Sequence, residues 1–103
     1  MSTEVTTGIQ ALARGCCGCG EPALYYEAAL EILTFFASAE RDWTWVYAEK
    51  HRYLAINALD HLGLLEHGSG ICGSWLTKHG EQALAFLREN GTDPEQWPAG
   101  STD

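Results

Sequence analysis

Leu-Asp-His-Leu-Gly-Leu-Leu-Glu-His-Gly (59–68), Ser-Gly-Ile-Cys-Gly (69–73), Ser-Trp-Leu-Thr (74–77) and Lys-His-Gly-Glu-Gln-Ala-Leu-Ala-Phe-Leu (78–87) follow one another in this chain. Gly63 can adopt the left-handed conformation that closes a helix. Leu64 to His67 then reads as a strand, Gly68 to Gly73 as a turn, and Ser74 to Leu76 as the returning strand. Thr77 is a suitable N-cap for a second helix, because its hydroxyl can accept from an unpaired backbone N–H of the first turn. Ala83, Leu84 and Leu87 give that helix an apolar stripe, and Asn90-Gly91 ends it. The order helix, hairpin, helix predicts a mainly α fold with one small two-stranded β-hairpin, in a single compact domain.

Upstream, Val5, Ile9 and Leu12 recur at helical spacing and predict a helix over 3–13. Gly-Cys-Cys-Gly-Cys-Gly at 15–20 must break it, since glycine is a poor helix former. Pro22 suits the first turn of the next helix, which runs over 22–39. Glu27, Glu31, Thr34 and Ser38 form its one narrow polar stripe. Most of its remaining surface is apolar, as in a helix buried on several sides. Residues 40–45 read as a turn, and a helix follows from about Val46 to Leu62. Its inner side carries Arg52, Ala55, Ile56, Leu59 and Leu62; its outer side carries Glu49, Lys50, Tyr53, Asn57, Asp60 and His61. The chain divides into an N-terminal segment with a cysteine cluster (1–20), the hairpin-containing domain (21–91) and an irregular tail (92–103) in which Trp97 is the residue able to dock.

At 103 residues and 46% apolar composition, one folded domain is expected and a disordered chain is excluded. No apolar run approaches the roughly 20 residues needed to span a bilayer. The first residues lack the basic and apolar regions of a signal peptide. These features predict a cytoplasmic protein without membrane partners. The net charge is −8, the wrong sign for unaided attraction to nucleic acid. Its distribution is uneven. Residues 1–49 carry seven acids against two bases, and residues 80–103 carry five against one. Residues 50–79 carry two acids against three bases, Lys50, Arg52 and Lys78, and hold all four histidines.

The segment from Lys50 to Asn90 resembles the winged-helix regulators of the MarR and PadR type. The resemblance lies in Leu59, in Gly63-Leu64-Leu65-Glu66, in the Ser69 to Gly73 turn, and in Leu76-Thr77-Lys78-His79-Gly80. It covers about 40% of the chain. It implies that Lys50 to Leu62 is a recognition helix whose Lys50, His51, Tyr53, Asn57 and His61 face a DNA major groove. Asn can pair bidentately with adenine, and Lys can reach guanine or phosphate. Arg52 adds local positive charge, and Lys78 is placed to contact phosphate.

Cys16 and Cys19 form a Cys-x-x-Cys-Gly knuckle able to present two thiolates to one zinc ion. Cys72 and His67 would complete a structural zinc site, and Cys17 could replace either neighbour. The spacing is half of a zinc motif, so reduced, unliganded thiols are the preferred reading over zinc, and a redox pair, with no βαβ context around it, comes third. No phosphate-binding loop, zinc-protease histidine pair or nucleophile elbow is present, and an enzyme is not expected. Aromatic residues crowd positions 25–53. Trp43 and Trp45, beside the expected turn, are candidate anchors for a protein partner.

Two functions follow as expectations. One is a small dimeric DNA-binding transcriptional regulator acting on duplex DNA. The other is an acidic winged-helix-like module that binds protein, as an adaptor or as a phage-type inhibitor (anti-CRISPR, anti-defence or DNA-mimic) of a nucleic-acid-binding complex.

Overall fold

The computed structural model describes residues 3–15, 21–68 and 74–98. Five helices and a hairpin follow in order: α1 (Thr3–Ala13), α2 (Pro22–Ala37), α3 (Trp43–Tyr47), α4 (Lys50–His61), β1 (Leu65–Glu66), β2 (Trp75–Leu76) and α5 (Lys78–Asn90). A 3₁₀ turn over Pro94–Gln96 completes the described chain. The mainly α, winged-helix-like fold with a two-stranded antiparallel hairpin is the one expected.

The punctuation read from the sequence has physical counterparts. Pro22 opens α2, where a missing N–H costs nothing. Gly63 and Gly91 follow α4 and α5 with φ of 83° each, in the region where a Cβ is penalised. Leu65 faces Leu76 and Glu66 faces Trp75 across the hairpin. The Thr77 hydroxyl accepts from Gly80 N–H at 3.1 Å and donates to the Gly63 carbonyl at 2.6 Å. One side chain therefore joins the end of α4 to the start of α5.

The stretch 40–47 departs from expectation. Where a turn over 40–45 and an unbroken helix from Val46 were expected, a separate short helix begins at Trp43. The Asp42 side chain caps it by accepting from Thr44 N–H at 3.0 Å. In a continuous helix, Glu49 N–H would bond the Trp45 carbonyl. Here the Arg52 guanidinium takes that carbonyl at 2.7 Å, and Glu49 N–H turns to Val46 O instead. Glu49 is extended (φ −133°, ψ 117°), so α3 and α4 are separate helices joined by a tight turn. Arg41 fixes the preceding loop by donating to the carbonyls of Phe36 (2.8 Å) and Ser74 (3.0 Å).

One core is shared by every helix. Ile9 and Leu12 of α1, Ile32, Leu33 and Phe36 of α2, Val46 of α3, Ile56 and Leu59 of α4, and Leu84 and Leu87 of α5 are buried together with Leu64 and Leu65. α1 lies along α5 at close approach: a Cβ on Gly8 would stand 2.6 Å from the His79 carbonyl oxygen. The tail also docks. The Trp97 ring packs edge-on to Tyr26 and Phe86 at 4.7 and 5.0 Å between ring centres, and its Nε1 donates to the Gly91 carbonyl at 2.8 Å. No helix among the described residues is long and apolar enough to cross a membrane.

Candidate interaction surface

α4 is the helix whose outward face the sequence singles out. Its period places Ile56 and Leu59 in the core, leaving Lys50, Leu54, Asn57, Ala58 and His61 along the opposite side. The candidate residues fare differently there. Lys50, His51 and His61 are exposed, and His51 Nδ1 stands 3.7 Å from the Glu49 carboxylate. Asn57 is half-buried and its amide donates to the Tyr53 carbonyl at 3.3 Å, which engages it with its own helix. Arg52 faces inward: besides its bond to Trp45 O, its guanidinium lies 4.2 Å from the centre of the Trp45 ring. Lys78 is exposed at the start of α5.

Three large apolar residues project from the same region. Leu54 is 65% exposed, Tyr47 is 57% and Tyr53 is 39%. Tyr47 and Tyr53 stack at 6.2 Å and 28° across the α3–α4 turn. With Val46 and Lys50 they bound a shallow cavity of about 430 Å³. Leu54 also borders a second groove, of about 270 Å³, where α4 meets α2. Leu54 and Tyr47 were missed in the sequence. The available signal was the helical wheel, which sets Leu54 one turn from Lys50 in the middle of an otherwise polar stripe.

Trp43 and Trp45 are half-buried rather than projecting. Trp43 packs edge-on against Phe35 at 5.1 Å, and Trp45 stacks on Phe35 at 5.5 Å. They form walls of the aromatic cluster that holds α3 on α2.

The structural-zinc expectation is corrected. Among the described residues, no group of three or more His, Cys, Asp or Glu side chains is placed to hold a metal ion. His67 is engaged elsewhere, its Nδ1 2.5 Å from Asp60 Oδ2, which links the end of β1 to α4. Cys16, Cys19 and Cys72, and Cys17 with them, lie outside the described residues.

No protein family matches the chain, and neither the curated proteins nor the solved structures contain a match to it.

Proposed function

We propose that this chain is a non-catalytic protein-binding module on a winged-helix-like frame, docking a partner through the outward face of α3 and α4. One observation carries the reading: the residue at the middle of the outward face of α4 is Leu54, 65% exposed and flanked by exposed Tyr47 and Tyr53. Contiguous exposed aromatic and aliphatic side chains mark interaction surfaces, and aromatic anchors dominate their energetics. A groove-reading helix needs cations instead. Of the lysines and arginines in this region, Arg52 is committed to Trp45, which leaves Lys50 on a chain of net charge −8. Phosphate contact supplies most of the non-specific affinity for DNA, so this face has little grip on a duplex.

Duplex DNA binding is the second reading. The break at Glu49 favours it, because it makes α3 and α4 a helix-turn-helix with Lys50 and His51 at the start of the second helix, where base-reading residues sit. A photo-crosslinking residue at position 53, used in the source cell, separates the two. The module reading expects a discrete protein adduct that Leu54→Gln abolishes. Salt-dependent duplex affinity that falls with Lys50→Gln, and no protein adduct, would overturn it in favour of DNA.

A further inference from the structure

The seam between α2 and α4 is hollow at both ends, and the two hollows differ in chemistry. At one end the groove beside Leu54 is lined by small residues, Ala28, Ala29, Ala55 and Ala58, and is almost wholly apolar. At the other end a cleft of about 610 Å³ is bordered by Phe35 and Trp45 and by the carboxylates of Glu31, Glu40 and Asp42. Among the described residues, the cation that borders it is Arg52, held on Trp45. None of the three carboxylates takes part in a salt bridge among the described residues. Set against the Arg52 charge, the three carboxylates leave the cleft net negative, which attracts a further cation by Coulomb interaction.

We infer that the docked partner is a protein segment in the form of a basic amphipathic helix. An apolar side chain of the segment enters the alanine-lined groove beside Leu54, and its lysine or arginine enters the Phe35–Trp45 cleft. The inference rests on the protein-docking reading above and adds the partner's chemistry. Spacing fits a helical occupant: Ala28 and Phe35 are two turns apart on α2, roughly 10 Å at 1.5 Å per residue, so anchor and cation are about two turns apart on the partner as well. The −8 charge of the chain speeds encounter with such a segment over the same distance range in which it repels nucleic acid.

The probes are two synthetic helices of about 18 residues with one leucine pattern, one carrying lysine and the other glutamate at the polar positions. Binding is read by fluorescence anisotropy at low and high salt, with circular dichroism confirming that each variant is folded. The lysine helix is expected to bind with defined stoichiometry and to weaken about tenfold, both with Leu54→Gln and with the triple variant Glu31→Gln, Glu40→Gln, Asp42→Asn. Asn at position 42 retains the cap of α3. A second triple variant, Glu81→Gln, Glu89→Gln, Glu95→Gln, removes the same charge elsewhere and is expected to leave binding within about twofold. Equal loss in both triple variants reduces the attraction to net charge and overturns the inference. Equal binding of the glutamate helix, or sensitivity to Leu54→Gln without sensitivity at the cleft, overturns the basic partner while docking at Leu54 stands. Binding of neither helix overturns the inference as well, and the crosslinking experiment then judges the docking face separately.

Discussion

Gly80→Ala tests how the hairpin is held against α5. A Cβ at position 80 would stand 2.1 Å from the Leu64 carbonyl oxygen and 3.2 Å from the Leu76 side chain. The Leu64 backbone cannot yield freely, because its N–H bonds Leu59 O at 3.0 Å and its carbonyl accepts from Thr77 N–H at 3.1 Å. Relief requires moving α5 or breaking the second bond. Overpacking of this kind costs about 1–3 kcal/mol, and losing the bond adds about 1 kcal/mol. Against this stands a gain of up to about 1 kcal/mol from replacing glycine in a helix. The net expectation is a loss of about 1–3 kcal/mol. A single domain has about 5–15 kcal/mol in total, so the loss is a large share of it. Urea denaturation followed by tryptophan fluorescence and far-UV circular dichroism measures it. Gly63→Ala is the internal control. A Cβ there meets nothing within 4 Å, and only the backbone conformation at φ 83° resists it, for about 1–2 kcal/mol. If Gly80→Ala proves no more costly than Gly63→Ala, the close approach of α5 to β1 is not a constraint and the reasoning fails.

Arg52→Met removes a charge-assisted bond to Trp45 O, worth about 1.5–3 kcal/mol, and a cation–π contact of roughly 0.5–2 kcal/mol. It also removes a buried Nε that has no partner among the described residues, so the measured loss should be about 2 kcal/mol, with the Trp45 carbonyl freed to accept from Glu49 N–H and join α3 to α4; unchanged stability and backbone shifts at 45–49 in NMR would contradict this. Trp97→Ala should cost about 3–5 kcal/mol by emptying the space between Tyr26 and Phe86, measurable by thermal melts, and a cost under about 1 kcal/mol would show that the tail does not close the core. Leu54→Gln should change stability by no more than about 0.5 kcal/mol, because its side chain projects into solvent, while abolishing the protein adduct. His67→Ala should cost less than about 1 kcal/mol, since its pair with Asp60 is partly exposed and screened, and a larger loss would mark that link as structural.

Much of the frame was legible because it depends on local chemistry. Gly63, Thr77 and Gly91 each mark a helix end through their own backbone or hydroxyl, with no distant partner needed. The break between α3 and α4 was not legible for the opposite reason. It depends on a guanidinium reaching a carbonyl seven residues back, and that geometry arises only once Trp45 is packed on Phe35. The candidate surface divided along the same line. Helical periodicity put Lys50 and His61 on the outer side, where they are exposed. It could not tell that Arg52 would be taken up by Trp45, or that Trp43 and Trp45 would be walls. The exposed Leu54 was readable from spacing, yet leucine is ordinarily assigned to a core. The acidic cleft was not readable at all, since Glu31 belongs to α2 and Glu40 and Asp42 to the loop that Arg41 holds in place.

The Thr77 hydroxyl, bonded at once to the Gly63 carbonyl and to Gly80 N–H, makes the hairpin a bypass rather than a hinge. The angle between α4 and α5 is set by that clasp, with the strands running outside it. A partner pressing on Leu54 would therefore load α5, and through the close contact at Gly8 also α1, without bending the hairpin.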